Sequence, residues 1–358
     1  MDIVYGIPII GVFFQLIGYV IQVTPGIAPI VLGLAAPIAL GALCGVMNER
    51  SGIVNIGIEG MMLSGAFAGF LAAGLWHQAF PAEAWGVFGF TPALLVGVVV
   101  AVGVAMLLSL LHAWLSITIA ADQIISGVII NVAALGLTGY LNRLLISPNP
   151  RLGAGTFDTF RLPQEVVDIP VIGWLLEMFL EQGPIAMSVI VFVLVLQVLL
   201  FRSRWGLRTR AVGEHPRAAE SVGIDVVRLR YRNVIIAGVF AGLAGAYLTL
   251  EGTSSFQNNM TAGRGFIALA AVIFGRWTPI GAFAGALLFA YSGAFGQAVR
   301  IRPPGDDYPE LGAIMAAVPS QVYGALPYIV TIIILAGVVG RSIAPAAVGR
   351  PYEKEAHS

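Results

Sequence analysis

Charge is what this sequence has least of. Acidic and basic residues make up 11% of its 358 residues, against about 25% in an ordinary soluble domain. That fraction leaves too little polar surface to cover a water-facing globule of this size. A single cysteine, Cys44, excludes a disulfide framework and any multi-cysteine metal cluster. A single lysine, Lys354, lies in the C-terminal tail, so no phosphate-binding loop of the Gly-x-x-x-x-Gly-Lys-Ser/Thr form can be assembled. The four histidines, His77, His112, His215 and His357, lie far apart without metal-ligand spacing. Neither Gly-x-Ser-x-Gly nor His-Glu-x-x-His occurs, so hydrolytic chemistry has no carrier. Excess charge of one sign is also missing: 19 basic residues balance 19 acidic ones, and no basic field argues for nucleic acid.

What is present is apolar. Hydrophobic residues reach 58% and the mean hydropathy is +0.89. The 44 glycines follow no collagen period and sit among Leu, Val, Ile and Ala. This is a polytopic membrane protein, all-α, a single transmembrane domain over 1–358. A membrane helix needs about 20 mostly apolar residues. Such runs fall near 3–22, 27–46, 53–75, 91–119, 122–146, 184–201, 233–251, 279–299 and 321–340. A tenth patch, around 263–275, is too short to cross alone and reads as a short or broken helix, making about ten segments. Asp2 and the lack of a basic n-region argue against signal cleavage, and Cys44 reads as a small helix-packing residue. Gly65 with Gly69, Gly238 with Gly242, Ala241 with Gly245 and Gly281 with Gly285 have the small-xxx-small spacing that lets helices pack closely.

The arginines orient the chain. Arg202, Arg204, Arg208, Arg210, Arg217, Arg228, Arg230 and Arg232 crowd into 202–232, opposed by Glu214, Glu220 and Asp225, which makes this loop cytoplasmic. The loop 147–183 carries Arg151 and Arg161 against Asp158, Glu165, Asp168, Glu177 and Glu181, and suits the outside. Arg341, Arg350 and Lys354 return the tail to the cytoplasm, which requires the short segment to count as a crossing. Both termini are then cytoplasmic. Within the basic loop, Pro216 suits a first helical turn and Gly223 a C-terminal stop. They predict a helix over 216–222 with a small face at Ala218, Ala219 and Val222. So short a helix is marginal alone in water and persists by packing on the bundle or on a partner. The arginines around it either clamp a partner's carboxylates or enforce orientation and touch anionic headgroups.

Arg217-Ala218-Ala219-x-x-x-Gly223 resembles the coupling loop of ABC importer permeases, with Arg217 where the commonest form has Glu. The upstream string Gly206-Leu207-Arg208-Thr209-Arg210-Ala211-Val212-Gly213-Glu214 is similar to the signature of the permease group that carries ribose, branched-chain amino acids and nucleosides. Glu49-Arg50-Ser51-Gly52-x-x-Asn55-Ile56-Gly57-x-Glu59-Gly60-Met61-Met62 resembles its nucleoside branch in particular. So does Thr261-Ala262-Gly263-Arg264-Gly265-Phe266 through Gly275, followed by Trp277-Thr278-Pro279. The resemblance spans about 35–340.

It implies a transport subunit rather than an enzyme, in the plasma (inner) membrane of a prokaryote. It implies a second permease subunit of different sequence, an extracytoplasmic nucleoside-binding lipoprotein, and a cytoplasmic ATP-binding subunit that holds the ATP. This chain itself would bind no cofactor or metal and no nucleic acid. Arg208, Arg210, Glu214, Pro216, Arg217, Ala218, Ala219 and Gly223 map onto the ATPase-coupling region. A sugar or branched-chain amino acid permease is one alternative; a secondary transporter or channel with Glu59 as a proton site is another.

Polar residues at membrane depth are candidates for the translocation pathway. Glu59 lies about seven residues, or ~10 Å, past the cytoplasmic boundary, where a charge should face the bundle or water. Asn55 shares its helix face four residues earlier. Either the two line the pathway, or Glu59 hydrogen-bonds a neighbouring helix terminus. Gln123, Ser126 and Asn131 are further buried polar candidates; Asn131 either meets the solute or bonds another helix. Phe256, Gln257 and Asn258 precede the short helix, placed to stack on a nucleobase, to seat a binding protein, or to form plain loop. Gly263-Arg264-Gly265 resembles the start of a discontinuous helix, which in transporters often marks the pathway.

Overall fold

In hydrocarbon every backbone N–H and C=O has to be satisfied internally, so apolar runs of this length become helices. The computed structural model describes residues 8–305, 307–337 and 343–352. Apart from one bridge pair, Trp85 with Phe90, the regular structure among them is helical. In chain order the helices are α1 (Pro8–Arg50), α2 (Ile58–Ala79), α3 (Pro92–Ala113), α4 (Gln123–Leu141), α5 (Gln164–Val167), α6 (Ile172–Leu180), α7 (Pro184–Arg202) and α8 (Arg204–Glu214). There follow α9 (Pro216–Ser221), α10 (Val226–Ala246), α11 (Arg264–Phe274), α12 (Pro279–Ile301), α13 (Pro309–Ala317), α14 (Ser320–Gly324) and α15 (Leu326–Gly337). Three of them run on into wider π-type turns: α3 at Trp114–Thr118, α4 at Asn142–Ile146 and α10 at Tyr247–Thr253.

Among the described residues 7 helices are long and apolar enough to cross a membrane, fewer than the ten segments expected. One of the three lies in α1 and another is the short helix Arg264–Phe274. The runs 3–22 and 27–46 read as separate spans, yet α1 is one helix of 43 residues. The Thr24 hydroxyl donates to the Val20 carbonyl at 2.6 Å and lies 2.7 Å from the Tyr291 hydroxyl. Those bonds brace the turn at the point where Pro25 has no N–H to give. The last expected span, 321–340, is divided between α14 and α15, and its end lies outside the described residues.

The chain forms two compact units, and their boundary falls within α1 and α12. The first holds the described parts of Met1–Ala35, Arg161–Gln182 and Leu287–Gly340. There Ile27, Val31 and Ala35 pack against Ala290 and Ala294, and Tyr19 against Val299 and Leu311. The Tyr19 hydroxyl donates to the Arg302 carbonyl at 2.5 Å, and Gln182 donates to that of Pro29 at 2.7 Å.

The second unit, Ala36–Phe160, Gly183–Ala286 and Arg341–Ser358, contains the candidate functional residues. Its centre is α2, α3 and α10, joined at small residues as the spacing predicts. Gly238 and Gly242 face Met106 and Val102 of α3, Gly245 faces Met62 and Ala66 of α2, and Gly69 faces Gly97. One end of this unit gathers the end of α1, α8, α9 and the start of α10. At the other, Phe157 donates its N–H to the Leu250 carbonyl and Asp158 to that of Phe88, both at 2.9 Å. Apolar side chains such as Val99, Leu107, Ile125, Ile129, Val132, Val191 and Val198 stay exposed on α3, α4 and α7. Apolar faces of that extent suit lipid as the solvent.

Candidate functional site

The arginine-rich end is built on α8. The Ser203 hydroxyl caps it, accepting from the Gly206 N–H at 3.1 Å. Asn233 of α10 locks α8 in place: its amide donates to the Thr209 hydroxyl at 3.1 Å and its oxygen accepts from the Trp205 indole at 3.0 Å. Arg210 lies 5.0 Å over the Phe201 ring and Arg50 lies 5.5 Å over the same ring, both as cation–π contacts. Arg208 is exposed. Glu214 closes α8, and its carboxylate accepts from the Ala346 N–H at 3.1 Å.

The helix predicted between Pro216 and Gly223 is α9. Gly223 has φ +84°, the left-handed conformation that glycine adopts without strain, and it stops the helix. Its N–H donates to the Glu220 carbonyl at 2.8 Å, and that of Ile224 reaches Ala219 at 3.1 Å. The small face differs from the expectation. Ala219 turns inward, 3% exposed, against Val212 and Val226, while Arg217, Ala218 and Val222 turn outward. In a single-turn helix, adjacent Ala218 and Ala219 cannot share a side.

The second candidate region surrounds the non-helical link 51–57 between α1 and α2. Its backbone is buried, and side chains of neighbouring helices complete its hydrogen bonds. The Val54 N–H donates to Gln123 at 2.7 Å, and the Val54 carbonyl lies 2.9 Å from His112 Nε2, whose Nδ1 is 3.1 Å from the Ser126 hydroxyl. Asn131 serves both strands of this turn: its oxygen accepts from the Gly60 N–H at 2.7 Å and its amide donates to the Ile56 carbonyl at 3.0 Å. Asn55 is fully buried; its amide points at Met61 Sδ, 3.6 Å away, and its oxygen has no hydrogen-bond partner among the described residues.

Glu59, in the first turn of α2, is 7% exposed. Its carboxylate accepts from the Gly263 N–H at 2.7 Å and from the Gly265 N–H at 2.6 Å. It therefore clamps the start of α11, the short helix that Gly263-Arg264-Gly265 predicts. A Cβ on Gly265 would lie 2.7 Å from the Glu59 Cα, so only glycine allows this approach. At its other end α11 leads to Trp277, whose indole donates to the Glu49 carboxylate and whose carbonyl accepts from Arg50 at 2.7 Å. The chain thus travels from the Leu250 end to the arginine-rich end through irregular residues 254–263 followed by α11.

Phe256 lies within that irregular stretch, buried and edge-on to Phe67 at 5.2 Å, in a cluster with Leu63, Phe70 and Leu152. Gln257 is exposed, and the Asn258 oxygen accepts from Asn142 at 2.9 Å. A second carboxylate clamp, at Glu251, has no signal in the sequence. It accepts from the Ile185 and Ala186 N–H groups at 2.7 and 3.1 Å, at the start of α7. Its partner lies 66 residues away, and the apolar run around it reads as an ordinary span.

A family model described as branched-chain amino acid transport system, permease component, matches residues 27–335. The guanosine ABC transporter permease protein NupQ of Bacillus subtilis is 37% identical over 344 residues, covering 94% of this chain and 98% of the relative. The nucleoside ABC transporter permease protein NupC of Lactococcus lactis is 35% identical over 328 residues, with 89% and 94% covered. A second Bacillus subtilis protein, the guanosine ABC transporter permease protein NupP, is 25% identical over 269 residues, covering 70% and 68%.

Proposed function

Because the chain belongs to the family of branched-chain amino acid transport system permease components, we propose that it carries nucleosides across the membrane as one permease of an ATP-driven importer. It is a multi-pass membrane protein and a transport subunit rather than an enzyme. An importer of this kind works with an ATPase and a binding protein. In the reading we favour, ATP is held on a separate cytoplasmic subunit and the cargo arrives from an extracytoplasmic nucleoside-binding lipoprotein. A second permease of different sequence completes the pair. Support for a mixed pair comes from Bacillus subtilis, where two guanosine permeases are both related to this chain. The arginine-rich end, with the tail 343–352 packed on it, faces the cytoplasm of a prokaryotic cell.

The observation that carries the mechanism is α9, a six-residue helix held inward by Ala219, with Ala218 and, just past its end, Val222 exposed. Movement of the ATPase displaces α9. The Asn233 bridge between α8 and α10 passes the displacement into the bundle, and the reading we favour puts the path beside the link 51–57 and α11, which Asn55, Asn131 and Glu59 hold in shape. Arg208, Arg210, Glu214 and Pro216 set the attitude of the docking helix. The cargo assignment rests on the nucleoside relatives, each covering about nine-tenths of the chain.

Uptake of tritiated guanosine by the reconstituted transporter, with ribose and leucine as competitors, tests the cargo. Guanosine uptake that neither competitor reduces is expected. Leucine or ribose uptake without guanosine uptake would overturn the assignment. Transport by this polypeptide alone, driven by a proton gradient, would overturn the ATP-driven mechanism.

A further inference from the structure

A helix of six residues cannot hold its own orientation, and the contacts of Ala219 supply only one side of its support. The remainder comes from residues 343–352, which the sequence reading uses only to return the tail to the cytoplasm. The Ala347 N–H donates to the Gly213 carbonyl at 2.9 Å and that of Ala346 to the Glu214 carboxylate at 3.1 Å. The Tyr352 hydroxyl donates to the Glu220 carboxylate, and its ring packs on the cluster of Val212, Ala219 and Val226. These contacts reach the end of α8 and the outer turn of α9.

The same segment is fastened to the bundle. The Gly349 N–H donates to the Gly52 carbonyl at 3.2 Å, at the turn after α1. Arg230 of α10 is 1% exposed, and its guanidinium binds carbonyls on both sides of the junction: Ser51 at 3.1 Å through Nε and Arg350 at 3.4 Å through Nη1. It also lies 5.7 Å from the centre of the Tyr352 ring. The planar fork fixes direction as well as distance, so the tail sits in one register against α1 and α10. Clefts open on both sides of Tyr352. One, about 550 Å³, lies between α9 and the tail beside Pro216, Ala218 and Arg350; the other, about 660 Å³, lies beside Gly223, Asp225 and Arg228. Tyr352 stands between the two clefts and bridges the tail to α9.

We propose that residues 343–352 form a strap that joins α9 to α1 and α10, with Tyr352 as a positioning residue for energy coupling. The proposal rests on α9 being the ATPase-docking helix. The strap and α9 move as one body, so that displacement at the ATPase reaches the bundle instead of being lost in rotation of α9.

The test uses the complete transporter in proteoliposomes, reading tritiated guanosine taken up per ATP hydrolysed, ATPase co-purification and thermal unfolding. Tyr352→Ala is expected to retain the ATPase but lower guanosine per ATP by more than the roughly fivefold that loss of one hydrogen bond of ordinary net strength allows, because the ring packing goes as well. Tyr352→Phe, which keeps the ring and loses the hydroxyl, is expected to fall between wild type and Tyr352→Ala. Ala218→Asp, on the outward face, is the control and is expected to abolish ATPase association. If Ala218→Asp loses the ATPase while Tyr352→Ala leaves guanosine per ATP unchanged, the strap proposal fails and the docking reading stands. If Ala218→Asp keeps the ATPase, the docking reading itself fails. Should Tyr352→Ala prevent folding, Tyr352→Phe decides: normal unfolding with unchanged coupling overturns the proposal.

Discussion

Replacing Glu59 by Gln separates two roles for this carboxylate. The change keeps size and shape but turns one acceptor oxygen into an NH2 group that faces an N–H donor. Glu59 now accepts two short bonds, 2.7 Å from Gly263 and 2.6 Å from Gly265. A hydrogen bond to a charged group contributes about 1.5–3 kcal/mol, and a buried anion at a helix N-terminus adds up to ~2 kcal/mol. Glu59→Gln forfeits one bond and the charge, and leaves one buried N–H unpaired. The sum is about 3–5 kcal/mol, which for a chain of this length corresponds to a fall in unfolding temperature of about 5 °C. Thermal unfolding of the purified permease in detergent measures it, and uptake in proteoliposomes runs alongside. If Glu59 clamps α11, both stability and transport drop together. Normal unfolding with abolished transport would refute the clamp and restore Glu59 as a group that acts on the solute.

Glu251→Gln acts on α7 as Glu59→Gln acts on α11, and a loss of about 1.5–3 kcal/mol is expected from its bonds to Ile185 and Ala186. Unfolding temperatures of the two variants and the double variant should add; strong coupling between them would argue against separate clamps. Gly265→Ala places a methyl 2.7 Å from the Glu59 Cα, and destabilisation of about 1–3 kcal/mol is expected from overpacking. Unchanged unfolding would show that α11 can slide away from α2. Asn131→Leu leaves the Gly60 N–H and the Ile56 carbonyl without partners, about 1–3 kcal/mol for each buried group. Faster backbone hydrogen exchange at 56–60 would report it, and unchanged exchange would refute it.

Features set by neighbours in the chain were readable before the structure. Pro216 and Gly223 bound α9 because a fixed φ at the first turn and a left-handed residue at the stop are local requirements. Gly263-Arg264-Gly265 likewise marks the start of α11. Features set across the fold were not readable. The runs 3–22 and 27–46 read as two spans, yet they join in one helix braced by the Thr24 and Tyr291 hydroxyls from opposite ends of the sequence. Glu251 and Tyr352 find their partners 66 and 132 residues away, and their local sequence carries no trace of it. Phe256 has the residue type of a stacking platform, yet residue type cannot tell a ring that awaits a base from one already set against Phe67.

The two carboxylate clamps have a bearing on which solutes the bundle tolerates. Exposed amides at the start of a helix attract phosphate and carboxylate groups. Here the amides that begin α11 and α7 are already occupied by Glu59 and Glu251, side chains that the protein itself supplies. A solute bearing a phosphate or carboxylate group thus finds no vacant amides at either helix start, while a neutral, hydrogen-bonding solute has no need of them.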